Sequence, residues 1–273
     1  MKRIYIALVC VLMAVTVLWT NKMRESMTNT EKKNIAFCIL TRSPNLIWME
    51  FIVTFQSRYE VYVCVDDNDL DLSELRGQFP AVRFLQYEDA VCAKAGFRKS
   101  STAMIKKPVI AWDKALYHFC EVDTQYDHVW FCEDDVYIEK VDNVAHMDDE
   151  DASASDLLCS NLRINTEGVK KGWMWWKLFP GRFEPPWAGT LVVIVRMSHK
   201  LLREVGRFVK QNGELMFIEC LFGTVAVQND MEISEPEAMK LLKTGKREPD
   251  ESTYSDYLIH PIKDLEEHVL FRG

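Results

Sequence analysis

No glycine-rich phosphate loop follows the chain's first apolar run after its N-terminal region, Ile35-Ala-Phe-Cys-Ile-Leu40. A dinucleotide fold needs glycines there for close backbone approach to a pyrophosphate, and a P-loop needs Gly-Lys-Ser/Thr. A Rossmann dehydrogenase and a P-loop NTPase are therefore both disfavoured. The eight cysteines contain no Cys-x-x-Cys and no zinc-like spacing. Cys10 lies in an N-terminal apolar run, and Cys38, Cys64 and Cys132 lie inside apolar strands as small core hydrophobes. Cys92, Cys120, Cys159 and Cys220 could pair in an oxidising compartment, with connectivity open. A basic excess is missing as well. With 33 Lys and Arg against 41 Asp and Glu, the net charge is −8 and the pI about 5.4. That balance argues against a general nucleic-acid binder.

What is present fits one domain with a sizeable core, since 48% of the 273 residues are hydrophobic. Lys2 and Arg3 precede an apolar run from Ile4 to Trp19, and Lys22 and Arg24 follow it. The run is slightly short of the ~17–25 residues of a membrane-spanning helix. It reads as an uncleaved signal anchor or as the core of a cleaved signal peptide. The lack of a small-x-small cleavage site favours the anchor. The expected order is a cytoplasmic tail at 1–3, an anchor at 4–20, a polar stem at 21–33 and a luminal domain at 34–273. A short span suits the thinner endoplasmic reticulum and Golgi membranes.

Within the domain, Ile35–Leu40 and Val61-Tyr-Val-Cys-Val65 read as buried strands separated by a helix over Leu46–Phe55, capped by Ser43 or Asn45. This is a right-handed βαβ unit, so the class is α/β with a mostly parallel sheet. Asp66 or Asp67 ends the second strand, either to hold a ribose or base edge or to cap a turn. Val82–Tyr87 reads as a third strand. Lys94, Arg98, Lys99, Lys106 and Lys107 then form a basic loop, near phosphates or simply solvated. Pro108 is expected to open a helix over Val109–Phe119, with Trp112, Asp113 and Lys114 in its first turns.

The chemistry concentrates at Val129-Trp-Phe-Cys-Glu-Asp-Asp-Val-Tyr-Ile138. A wholly apolar strand ending in three carboxylates sits where open α/β sheets bind ligands. Adjacent acids repel unless a cation or hydrogen-bond donors compensate. Oxygen ligands suit Mg²⁺ or Mn²⁺ bridging to phosphates, against the plainer reading of an acidic turn. Asp148-Asp149-Glu150-Asp151 reads as a solvated acidic loop, and Asp156–Cys159 as a return to the sheet. Trp173, Trp175, Trp176 and Trp187 read either as core or as an aromatic platform for a sugar. Ala188–Val195 is a further strand, and Ser198 caps a helix through Val209. Glu219 stands alone among Leu215, Met216, Phe217, Ile218, Leu221 and Phe222. Burial there would raise its pKa, as a general base requires; a surface glutamate is the alternative. His260 and Lys263 are weak signals alone but become sensible beside an acidic metal site.

Together these residues resemble the GT-A nucleotide-sugar-dependent glycosyltransferases over roughly Ile35–Lys263. Glu133-Asp134-Asp135 is similar to the Asp-x-Asp motif in its Glu-Asp-Asp form. Glu219-x-x-Phe222-x-Thr224 is similar to the Glu-x-x-Trp-x-Thr pattern of core-2-type inverting enzymes, and His260-Pro-Ile-Lys263 to a C-terminal histidine that completes a metal shell. The resemblance implies a GT-A-like, Rossmann-type mixed sheet flanked by helices, with Asp135 and His260 as metal ligands for Mn²⁺ or Mg²⁺. It implies nucleotide-sugar contacts, with a UDP-sugar favoured, from Thr41, Arg42, Asp66, Glu133, Asp134 and Lys263, beside Trp112, Asp113 and Lys114. It also implies Glu219 as catalytic base, inversion at the anomeric carbon, and a type II Golgi topology. The core-2 enzymes need no metal, so a Glu-Asp-Asp motif beside their glutamate pattern combines two subfamilies. A metal-dependent phosphoesterase or sugar-nucleotide hydrolase, and a tethered glycan-binding protein without activity, are the alternatives from other classes.

Overall fold

The computed structural model describes residues 34–102, 107–150, 155–244 and 258–272. The tail, anchor and stem expected at 1–33 lie outside these residues. No helix among those described is long and apolar enough to cross a membrane.

A seven-stranded sheet organises the domain in the order β3-β2-β1-β4-β6-β5-β7. Its strands are β1 (Ile35–Thr41), β2 (Glu60–Val65), β3 (Arg83–Leu85), β4 (His128–Glu133), β5 (Leu157–Asn165), β6 (Trp187–Ser198) and β7 (Ile233–Ser234). Strand β6 pairs antiparallel with both β4 and β5, and the other pairings are parallel. The expected mixed, mostly parallel α/β sheet is what the chain forms.

Side chains alternate across the sheet with the period of two that a strand imposes. Ala36, Cys38 and Leu40 of β1 enter one core with α4 (Ala111–Tyr117), α6 (His199–Asn212) and α7 (Ile218–Gln228). Ile35, Phe37 and Ile39 enter the opposite core with α1 (Leu46–Val53), α5 (Val141–Glu150) and α8 (Glu237–Lys240). Both faces are covered, so the apolar runs of β1, β2 and β4 are continuous rather than alternating. Asn45 caps α1, its Oδ1 accepting from the Trp48 amide at 3.0 Å. Ser198 caps α6, and Gly213 ends it in the left-handed conformation at φ 74°. Shorter helices α2 (Ser73–Gln78) and α3 (Asp89–Lys94) flank β3 in the chain.

Five expectations are corrected. The helix expected from Pro108 begins at Ala111, because the Asp113 carboxylate accepts from the Ile110 amide at 2.8 Å and fixes the cap there. Pro108 stays outside, its carbonyl accepting from the Lys99 amide. The third strand is shorter than expected, and β5 is longer, running on through Asn165. Cys92, Cys120, Cys159 and Cys220 are free, as are Cys38, Cys64 and Cys132. Asp148 is no solvated loop residue. It sits in α5 and accepts from Arg196 Nη1 at 2.6 Å, Tyr59 Oη at 2.7 Å and Trp130 Nε1 at 3.0 Å. Arg196 is fully buried in β6, and its cost of burial is offset by this carboxylate.

The segment from Leu258 returns to the sheet beside the end of β4. Strand β9 (Ile259–His260) pairs with β8 (Lys243–Thr244) and bridges to Tyr137, just beyond β4. The Ile262 amide donates to the Asp135 carbonyl at 2.7 Å, and α9 (Leu265–Arg272) lies beyond it.

Candidate active site

Strand β4 ends at Glu133 in the middle of the sheet, so its three acids emerge between β1 and β6. Each finds different company. Glu133 accepts from Trp112 Nε1 at 2.8 Å. Asp134 accepts from Thr41 Oγ1 at 2.5 Å, across from the end of β1. Burial raises the pKa of Asp134, and Asp135 and Glu133 add to this against the Thr41 hydrogen bond. Asp135 faces the returning C-terminal segment, with His260 Nε2 at 3.2 Å and Lys263 Nζ at 3.3 Å.

Ligand atoms of Glu133, Asp135 and His260 all lie within 4.8 Å of one another. His260 Nε2 is also 3.6 Å from Glu133. Burial works against an imidazolium here, but hydrogen bonds to Asp135 and Glu133 prevail and lift His260 to about 9. Burial would raise Asp135, yet His260 and Lys263 hold it below the usual range. Two carboxylates and one imidazole converging at this spacing fit a divalent cation of the Mn²⁺ type. The imidazolium occupies the electrostatic role a cation would take. Glu133 thus joins the cluster expected from Asp135 and His260, while Asp134 turns toward Thr41.

Glu219 shares a cavity with His260 of this cluster. Thr224 anchors α7 to β6, its Oγ1 accepting from the Ala188 amide at 2.9 Å and donating to the Ala188 carbonyl at 2.8 Å. Phe222 packs its ring 5.9 Å from Trp112, the residue that holds Glu133. The Phe and Thr of the Glu-x-x-Phe-x-Thr pattern therefore fix the helix turn that carries the glutamate. Glu219 and His260 line one cavity of about 260 Å³ with Asn161, Arg163, Trp173, Thr190 and Leu191. Burial lifts Glu219 to about 7, with Glu133 adding to the rise and Arg163 opposing it.

The remaining candidates divide. Thr41 is buried beside Asp134, and Arg42 projects exposed from the same strand end. Asp66 accepts from Lys107 Nζ at 2.7 Å. Lys114 is fully buried and donates to the Asp66 carbonyl at 2.7 Å and to Asn68 Oδ1 at 2.5 Å, with Asp89 at 3.1 Å. Asp113 is buried too, accepting from the Ser100 amide and hydroxyl and from Ile110. Burial lifts it to about 6 against those hydrogen bonds. Lys114 and Asp113 hold the loops after β2 and before α4, rather than opening onto a ligand. Of the basic loop, Lys99 and Arg98 pair with Glu214. Lys106 lies outside the described residues.

The tryptophans do not form one platform. Trp176 and Trp187 are each 4% exposed and pack with Phe179, whose ring stacks on Trp187 at 5.0 Å. Trp173 reaches the Glu219 cavity, and Trp175 lines a separate cavity of about 440 Å³ with Phe217. Three polar cavity residues were not singled out from the sequence: Asn161, Arg163 and Thr190. Thr190 left a signal, as the one hydroxyl in the apolar run Ala188–Val195.

No family model matches the chain, and no curated protein matches its sequence. Among solved structures, galactosyltransferase LgtC in complex with donor and acceptor sugar analogs matches with a TM-score of 0.51 at 10% identity. The match covers 88% of this chain and 95% of that one. Mouse xyloside xylosyltransferase 1, apo form, matches with a TM-score of 0.43 at 9% identity, over 84% of this chain and 97% of that one. The 4-diphosphocytidyl-2C-methyl-D-erythritol synthase of Anaerococcus prevotii also gives 0.43 at 9%, over 89% and 96%. The first likeness shows the fold: this chain has a GT-A-type, Rossmann-like architecture.

Proposed function

We propose that this chain is a glycosyltransferase moving a sugar from a nucleoside-diphosphate sugar, with UDP favoured, to a hydroxyl of a glycan or glycoprotein. One observation carries the reading: the candidate base Glu219 and the candidate metal ligand His260 line the same cavity. A base near neutral pKa thus faces a cluster suited to a nucleotide's phosphates. Glu133, Asp135 and His260 would hold Mn²⁺ or Mg²⁺, which when bound supplies positive charge to a leaving diphosphate. Thr41, Arg42 and Asp134, at the ends of β1 and β4, are offered to the nucleotide. Lys263, exposed and beside Asp135, is free to swing toward a phosphate. Glu219 takes the proton of the acceptor hydroxyl as it attacks, and attack from the face opposite the leaving group inverts the anomeric carbon. Trp173 gives the cavity an aromatic wall against which an acceptor sugar can lie. Residence in a Golgi or endoplasmic reticulum membrane, with the domain luminal, belongs to the same reading and rests on residues 1–20.

A panel of UDP- and GDP-sugars with Mn²⁺, read as nucleotide release with and without acceptors, tests this directly. The expected result is release that requires both acceptor and divalent ion. Asp135→Asn is expected to lose divalent-dependent donor binding in calorimetry while keeping its unfolding transition. Unchanged affinity and Mn²⁺ dependence in that variant would refute the metal assignment. Release without any acceptor would indicate a hydrolase, and chelator-insensitive glycan binding without turnover a lectin.

A further inference from the structure

The transferase reading leaves open what the acceptor is, and the Glu219 cavity carries information on that. At about 260 Å³ it falls just below the ~300–1,000 Å³ of ordinary small-molecule sites, which suits one sugar residue rather than an extended chain. Its walls are built. Strand β5 shifts register against β6 between Leu158 and Ser160 and again between Ser160 and Arg163. Asn161 lies in that irregularity in the left-handed conformation, φ 54°. Such bulges re-aim side chains beside functional sites. Gly189 of β6 admits the Trp173 ring, since a Cβ there would meet it at 2.4 Å.

Polar side chains converge on this space without being used up by the fold. Thr190 is 2% exposed, and its Oγ1 is buried with no hydrogen-bond partner. A buried hydroxyl left so is unfavourable unless a ligand satisfies it. Arg163 forms no ion pair among the described residues; its guanidinium lies over the Trp173 ring, Cζ 5.9 Å from the centre, with its hydrogen-bonding edge left for a ligand. Of the charged side chains lining this cavity, Arg163 is the permanent cation and Glu219 the carboxylate.

Resting on the transferase reading, we infer that the acceptor is an acidic sugar, a uronic acid or a sulfated residue, whose anionic group is read by Arg163, held over Trp173, while its ring fills the cavity beside them. A planar guanidinium matches carboxylate and sulfate oxygens two at a time, which a neutral sugar cannot exploit. Glu219 lines the same cavity and repels an anion beside itself, and His260 there is already paired with Asp135 and Glu133. The acid is therefore placed at Arg163 and a neutral hydroxyl at Glu219.

The test is binding without donor, so it stands apart from whether transfer occurs. The 4-nitrophenyl β-glucoside, its 6-sulfate and the 4-nitrophenyl β-glucuronide are titrated into the full chain by calorimetry. One or both anionic probes should bind about tenfold or more tighter than the neutral glucoside, the scale of a hydrogen bond to a charged group. Raising NaCl should shrink the gap. Arg163→Gln should abolish the preference, and Arg163→Lys should retain part of it. Which anion binds better distinguishes uronate from sulfate. Equal affinity for all three, no binding of any, or a preference that survives Arg163→Gln in a folded variant overturns the inference. Failure of every donor in the nucleotide panel would instead count against the transferase reading alone.

Discussion

Replacing Glu219 with glutamine should strengthen the fold above neutral pH and weaken the chemistry at once. In the folded chain burial holds this carboxyl at about 7, against an ordinary value of 4.5. Below pH 4.5 the group is protonated in folded and unfolded chains alike, and its ionisation affects stability little. Between 4.5 and 7 the folded chain keeps a proton that the unfolded chain has lost, so stability falls as pH rises. Above 7 the full penalty for a half-buried anion is present, on the order of 3 kcal/mol before solvent screening and ~1–3 after it. Glutamine has the same shape and no charge to desolvate. Glu219→Gln should therefore match the parent near pH 4 and exceed it by ~1–3 kcal/mol near pH 8.5. For a domain of this size that is several degrees in Tm, at ~2–4 °C per kcal/mol. Denaturant titrations of both proteins across this range, with chelator present, would measure it. Chelator matters because a cation near Glu133 would itself favour the Glu219 anion. Transfer should fall ~10²–10⁴-fold, and the parent's rate should climb through pH 7 as Glu219 loses its proton. A stability difference that does not change with pH would show that Glu219 is not held as the structure describes. Near-parental transfer by the variant would remove it as the base.

Two further outcomes rest on named contacts. Asp148→Asn removes the buried carboxylate that faces Arg196 at 2.6 Å, with side-chain exposures of 8% and 0%. Breaking such a pair costs ~3–5 kcal/mol, so a loss below ~1 kcal/mol in urea unfolding would contradict the anchoring role. Gly189→Ala puts a methyl group into the Trp173 ring and should lower glycoside affinity about tenfold with donor affinity little changed; calorimetry with each ligand separates the two.

The parallel half of the sheet was legible because β1, β2 and β4 are buried on both faces and show as unbroken apolar runs ending in polar loops. The acidic motif was visible for the same reason, since Glu133 comes directly after such a strand. Strand β5 was only half visible. Its outer portion follows two register shifts between Leu158 and Arg163, and Asn161 and Arg163 turn to the cavity, so it lacks the apolar alternation that marks a strand. Arg163 was missed with it. Asp148 misled because a carboxylate among other carboxylates looks solvated, and its partner Arg196 lies 48 residues on, in another strand. The tryptophan cluster divided between core and cavity because local spacing does not reveal which indole meets Phe179 and which meets Gly189. Asp113 and Lys114 likewise sit beside Trp112 in sequence, but a helix turn sends the three in different directions.

The cluster at the end of β4 takes its third member from a segment far along the chain. Strands β1 through β7 and helix α7 all precede Leu258 in the sequence. His260 belongs to that segment, and it is held by the Tyr137–Ile259 bridge and by the Ile262 amide on Asp135. Under the proposed function, release of this one segment from Tyr137 would take the histidine out of the cation site, while Glu133 would keep its hydrogen bond from Trp112.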